Sequence, residues 1–181
     1  MRVISGKVKG RKLKEPTDYL IRPTTDRIKE SIFDIVQFDI EGRLVLDLFA
    51  GTGQLGIEAL SRGAKSASFV DSATESVKLI RENLKICDFS DKAAVYAFDA
   101  LRYLENDDNF DLIFIDPPYD TAFADRAVTR IVEFDKLNIN GIIILETKAD
   151  TPTPAVELPY SLIRVYRYGN TQIAKYTRGS I

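Results

Sequence analysis

Asp116-Pro117-Pro118-Tyr119 brings together a carboxylate, two rigid carbonyl acceptors and an aromatic face. Proline has no N–H, so the pair ends a strand ladder and leaves carbonyls with no donor beside them. A planar ring with an exocyclic amine suits that set. Asp116 and a proline carbonyl can accept its two N–H groups, and Tyr119 can stack on the ring. The same letters also make a good turn, so their meaning depends on what lies upstream. There, Gly51-Thr52-Gly53-Gln54-Leu55-Gly56 reads G-x-G-x-x-G between a predicted strand and a predicted helix. Glycines let backbone approach a ligand, and the helix start offers unpaired N–H groups. Asp71, 20 residues after Gly51, stands where a carboxylate could bond ribose hydroxyls, as in a dinucleotide site. Asp47 points elsewhere: an acid inside the strand repels a pyrophosphate and suits a ligand with a cationic amino group. Flanked by Leu46 and Leu48, it is expensive to bury without a use. Asp47, Asp71 and Asp99 close or nearly close three successive predicted strands, which describes an adenosine-type pocket without a phosphate. For Asp99 a helix cap is the competing reading.

These residues need a scaffold of strands and helices in alternation. Aliphatic runs recur at 44–49, 67–70, 94–98, 111–116 and 141–146, and helical segments fall at 54–62, 73–86 and 121–134, with a short turn near 100–105. Val77, Ile80 and Leu84 share one face of the second of these helices. Continuous apolar strands separated by helices predict an α/β fold with a parallel sheet covered on both faces. The tail changes pattern: 160–168 and 171–177 flank Gly169-Asn170 and predict an antiparallel hairpin. Ahead of the sheet, a helix is predicted from Thr24 or Thr25, with Ile28, Ile32, Ile35 and Val36 as its apolar stripe. Gly6 and Gly10 read as turns of a small hairpin before that helix.

Composition sets limits. The chain has 181 residues, no His and one Cys (Cys87), which excludes Ser-His-Asp or Cys-His catalysis, an imidazole metal site and an intrachain disulfide. No apolar run reaches membrane-spanning length, so no membrane partner is expected, and the cysteine usage fits a cytoplasmic setting. The net charge of −2 is a cancellation. Residues 1–14 hold Arg2, Lys7, Lys9, Arg11, Lys12 and Lys14 and no acid, leaving 19 basic and 27 acidic side chains in the other 167 residues. From Leu158 onward Arg164, Arg167, Lys175 and Arg178 again occur with no acid. Basic ends on an acidic body suggest a polyanion footprint.

The run DLFAGTGQLG followed by Asp71 resembles the cofactor site of class I S-adenosylmethionine-dependent methyltransferases, and DPPY resembles the [DN]PP[YF] signature of amino-methyltransferases. MRVISGKVKGRKL, RPTTDRIKESIFDIV and VLDLFAGTGQLGIEALSRGA, in this order with DPPY, resemble the RsmD family of 16S rRNA guanine-N2 methyltransferases along almost the whole chain. Strand two ends in Asp71 where that family more often has Glu. The resemblance implies a Rossmann-like, mainly parallel seven-stranded sheet over 42–181, with 1–41 as a basic hairpin-and-helix extension that contacts RNA and lids the cofactor. It implies S-adenosylmethionine held by Asp47, Phe49, Gly51, Thr52, Gly53, Asp71, Ser72, Asp99, Ala100 and Asp116, with Asp116, Pro117 and Tyr119 as catalytic residues. It further implies RNA contacts from Lys7, Lys9, Arg11, Lys12, Arg22, Thr24, Thr25 and Arg27. The implied substrate is a guanine N2 (guanine-966 type) of 16S rRNA in the small ribosomal subunit or an assembly intermediate, with a monomeric enzyme and no metal. Hydrogen bonds that draw the amine toward tetrahedral geometry localise its lone pair for attack on a methyl sulfonium. The nitrogen then becomes strongly acidic, so a missing His costs nothing. The alternatives are an adenine-N6 methyltransferase of DNA or RNA, a non-catalytic RNA-binding assembly factor, and, against Asp47, a nicotinamide-dependent oxidoreductase.

Overall fold

The apolar runs become strands of one sheet. A computed structural model describes residues 1–16, 26–118 and 121–180, except for the side chain of Thr121. After α1 (Asp26–Ile35), the chain alternates β1 (Leu44–Leu48), α2 (Gln54–Ser61), β2 (Ser66–Asp71), α3 (Thr74–Cys87), β3 (Ala93–Ala97), α4 (Ala100–Tyr103), β4 (Phe110–Ile115), α5 (Thr121–Glu133) and β5 (Leu137–Lys148). It closes with β6 (Tyr160–Tyr168) and β7 (Thr171–Arg178). The seven strands lie in the order β3-β2-β1-β4-β5-β7-β6. The first five are parallel, and β7 runs antiparallel between β5 and β6. The order reverses between β1 and β4, and in such sheets ligands settle outside the carboxyl ends of the strands at that point.

Strand side chains alternate between faces, and the core divides accordingly. Val45, Phe69, Leu112, Phe114, Ile142 and Ile144 pack on one face with Ile32 and Phe33 of α1, Ile57 of α2 and Ile80 of α3. Leu46, Leu48, Val70, Ile113, Ile115 and Leu145 pack on the other with Leu101 of α4 and Val128 of α5. The stripe of α3 is buried as its spacing requires, at Val77, Ile80 and Leu84.

Three features depart from the simple pattern. Strand β5 begins before the apolar run that announces it, with a register shift against β4 between Phe110 and Leu112 and a positive φ at Asn140. Gly141 lies in this bend, where a Cβ would sit 2.6 Å from the Leu137 side chain. The basic N-terminus is a docked hairpin. Arg2 bridges Lys12, and Val3 and Leu13 enter the α1–α3 side of the core. Lys29, a cation inside the stripe of α1, is fully buried. Its ammonium donates to the Arg2 carbonyl at 2.6 Å and lies 3.9 Å from the equally buried Glu58 of α2. Burial lowers the Lys29 pKa against the opposing pull of Glu58 and then Asp26.

Candidate active site

The acids of the sequence motifs meet at the carboxyl edge of the sheet. Asp47 is level with Phe69 of β2 and Phe114 of β4. Asp71 lies two residues beyond Phe69 and Asp116 two beyond Phe114, so alternation carries all three toward the face of α1, α2 and α3. This register, more than any single motif, brings β1, β2 and β4 chemistry into one place.

Asp47 is 2% exposed, and its Oδ2 accepts the Gly56 N–H at 2.8 Å. Helix α2 has Gly53 at its N-cap, with no side-chain cap of its own. The strand carboxyl therefore caps the helix from outside, satisfying one of the first-turn N–H groups that a helix leaves open. Burial pushes the Asp47 pKa up to about 8, opposed by the Gly56 hydrogen bond and reinforced by the charges of Asp116 and Asp71. A cation beside such a group favours its ionised form. Gly56 itself is forced by packing, since a Cβ there would lie 2.3 Å from the Phe69 ring.

The loop between β1 and α2 is a run of unusual backbone. Phe49, Gly51 and Gly53 have φ of 65°, 54° and 77°. Glycine adopts such angles freely, whereas Phe49 is a non-glycine residue held in a sparsely populated region. Its ring stacks edge-on against Phe123 of α5, 6.0 Å between centroids. Asp71 ties the loop to β2, its Oδ2 accepting the Gly51 N–H at 2.8 Å and its Oδ1 the Ala73 N–H at 2.8 Å. Asp99 caps α4 by accepting the Arg102 N–H at 2.9 Å, so the capping reading is satisfied, while the residue stays exposed at the edge. Ser72 is exposed and Ala100 buried; Phe98, half exposed beside Asp99, presents a ring at the same edge. Thr52 is turned inward. Its hydroxyl contacts the Met1 sulfur at 3.4 Å, and its carbonyl accepts from Asn83 at 3.1 Å.

Asp116 and Pro117 are half-buried at the exit of β4 and Pro118 is exposed. Tyr119, Arg22, Thr24 and Thr25 lie outside the described residues. Lys7, Lys9, Arg11 and Lys12 are exposed on the hairpin, as is Arg27 on α1. Asp26 beside it lies 3.8 Å from Arg2 and 4.0 Å from Lys29. The hairpin is fixed to the sheet domain by its backbone. Ile4 and Ser5 donate to the Glu58 carboxylate at 2.7 and 2.9 Å, and Lys7 donates to the Ser61 carbonyl at 2.7 Å. At the C-terminal end Lys175 and Arg178 pair with Asp39 and Asp135, which withdraws them from a polyanion footprint.

Two residues escaped the sequence reading. Asn83, fully buried on α3, accepts the Lys14 N–H at 2.7 Å and donates to the carbonyls of Lys14 and Thr52, joining the basic arm to the glycine loop. Glu146, two residues before the end of β5, stands level with Asp116, since Ile115 pairs with Leu145. Its burial and the charge of Asp116 raise its pKa to about 8. The signal for Glu146 was present, an acid after an apolar run as Asp71 and Asp116 are. Asn83 had no signal, because a polar residue on a helix face looks the same whether it meets water or a carbonyl.

The residues fit a cationic adenosine ligand better than a phosphate one. Left-handed backbone at Gly51 and Gly53 opens a cradle, and a buried acid with a raised pKa sits behind it. The acids Asp71 and Asp99 stand at the ends of the next two strands.

A family model described as conserved hypothetical protein 95 matches residues 1–177. YlbH of Bacillus subtilis is 40% identical over 182 residues, covering 98% of this chain and 99% of the relative. Ribosomal RNA small subunit methyltransferase D of Haemophilus influenzae is 35% identical over 156 residues, covering 84% of this chain and 81% of the relative. Among solved structures, the Escherichia coli protein yhhF superimposes with a TM-score of 0.89 at 28% identity, covering 99% of this chain and 98% of the other.

Proposed function

The chain belongs to the RsmD family of rRNA methyltransferases, and from that premise we propose that it methylates the exocyclic N2 of one guanine (the guanine-966 type) in 16S rRNA, within the small ribosomal subunit or an assembly intermediate. The carrying observation is the set of carboxyls on one sheet face at the point of strand-order reversal, beside a left-handed glycine loop. Bound S-adenosylmethionine supplies an electrophilic methyl group. Asp47 and the loop Gly51–Gly53, with Phe49 and Thr52 shaping it, would hold the cationic end. Asp71 with Ser72 would hold the ribose, and Asp99 with Ala100 the adenine.

The remaining chemistry belongs to the chain. Asp116 Oδ and the Pro117 carbonyl accept hydrogen bonds from the two N2–H groups, orient the amine and localise its lone pair, and Tyr119 covers the base. The proton that N2 loses passes to the Asp116 carboxylate and on to water. Lys7, Lys9, Arg11, Lys12 and Arg27 engage phosphates together with Arg22, Thr24 and Thr25. Residues 1–41 thus form the RNA-facing extension and cofactor lid, and 42–181 the catalytic domain. Phosphate contacts set the position of the RNA, and the target base must leave its stack to reach the site. Asp116→Ala should abolish methyl transfer to small-subunit particles while S-adenosylhomocysteine affinity stays within a few-fold. Surviving transfer with lost cofactor affinity would reverse the roles given to these residues.

A further inference from the structure

Glu146 has no place in the reading above, yet its chemistry is unusual for a strand residue. Its Oε2 is buried and has no hydrogen-bond partner among the described residues. A buried oxygen left unmet costs about 1–3 kcal/mol, so such an atom points to a group that arrives later. The neighbours on β7 are committed elsewhere. Glu146 pairs with Ile173. The Gln172 amide beside it donates to the Thr147 hydroxyl at 3.1 Å and the Thr151 carbonyl at 2.6 Å. Lys175 donates to the Ile35 carbonyl at 3.4 Å and lies 3.5 Å from Asp39. Lys148 stands exposed two residues further along β5, and Asp116, just past β4, is level with Glu146.

We propose that Glu146 is a base-reading residue, its Oε2 accepting the N1–H of the same guanine whose N2 amine is held by Asp116 and the Pro117 carbonyl. The inference rests on the guanine-N2 reading and adds to it the group that tells guanine from adenine. In guanine the atom next to the amine-bearing carbon on the pairing edge is an N1–H donor; in adenine the corresponding N1 is an acceptor. An oxygen with no proton facing the base welcomes the first and repels the second. Burial and the Asp116 charge keep a proton on Glu146 at neutral pH. A protonated carboxyl still carries one carbonyl oxygen that can only accept, and the assignment gives that role to Oε2.

The test uses small-subunit particles reconstituted with rRNA carrying either guanine or 2-aminopurine at the modified position. 2-Aminopurine keeps the N2 amine but has an acceptor at N1. Wild-type protein should favour guanine in kcat/KM by roughly 10- to 100-fold. Glu146→Leu should lose that factor on guanine, keep or raise the rate on 2-aminopurine, and bind S-adenosylhomocysteine as the wild type does. Glu146→Gln, which keeps an acceptor oxygen, should retain most of the preference. Equal losses on both bases in Glu146→Leu, or a loss confined to S-adenosylhomocysteine affinity, would overturn the assignment. Wild-type protein that leaves guanine N2 unmodified would instead overturn the functional reading, and the assignment with it.

Discussion

Asp47→Asn separates the capping role of this side chain from its titration. The substitution keeps an oxygen for the Gly56 N–H and removes the ionisable proton. Unfolded, Asp47 titrates at the ordinary value of 3.8; folded, burial moves it to about 8. Between those values the folded chain holds one more proton than the unfolded chain, so this residue's contribution falls as pH rises through the window. The slope is about 1.4 kcal/mol per pH unit, or about 3 kcal/mol between pH 5 and pH 7. Glu146, raised for the same reason, contributes in the same direction in both proteins and cancels from the comparison. The chain has no Trp, so urea unfolding is best followed by far-UV circular dichroism at pH 5, 6 and 7. Wild type should lose about 3 kcal/mol more than Asp47→Asn over this range, with m-values unchanged. Saturating S-adenosylmethionine should flatten the wild-type dependence, because its ammonium group favours the ionised carboxylate. Parallel pH dependences in the two proteins, or a wild type that gains stability with pH relative to the variant, would refute the buried-proton account.

Other consequences follow from the same contacts. Replacing Lys7, Lys9, Arg11 and Lys12 by Ala should weaken binding to a 16S rRNA fragment and flatten its log–log salt dependence by up to roughly 3; an unchanged slope would remove the hairpin from the interface. Asn83→Ala removes three hydrogen bonds between arm, helix and loop, and thermal unfolding should show a loss of about 2–3 kcal/mol. Limited proteolysis of that variant should show faster cleavage within the arm, and wild-type resistance there would contradict the bridge. Gly56→Ala drives a methyl group into Phe69 and should cost about 1–3 kcal/mol in urea unfolding; a neutral outcome would mean that α2 can lift off β2.

The sheet was legible because burial on two faces leaves a plain mark. Strand β4 is apolar without a break from Leu112 to Ile115, and the Gly169-Asn170 turn between 160–168 and 171–177 announces the antiparallel tail. The start of β5 was not legible, because its first residues include the exposed Ile139 and Asn140 and the positive φ that bends them. Within the site, Asp47 stood out as a charge between leucines, and its capping of α2 is the reason that position tolerates an acid. The positive φ of Phe49 and the inward turn of Thr52 come from the loop's path, which a letter pattern does not carry. The basic N-terminus looked the same whether free or docked; Glu58, an unremarkable letter in α2, decides the matter by accepting from Ile4 and Ser5. Glu146 carried a signal, an acid after an apolar run, but its placing beside Asp116 needed the sheet order, since only the pairing of β4 with β5 brings the two together.

The central claim is tested most directly by identifying the modified nucleoside. Wild-type protein is incubated with labelled S-adenosylmethionine and unmodified small-subunit particles, and the rRNA is digested and resolved by mass spectrometry. N2-methylguanosine at a single position of 16S rRNA, absent with Asp116→Ala, is the predicted result. Label appearing as N6-methyladenosine, or in ribosomal protein with the rRNA unmodified, would contradict it.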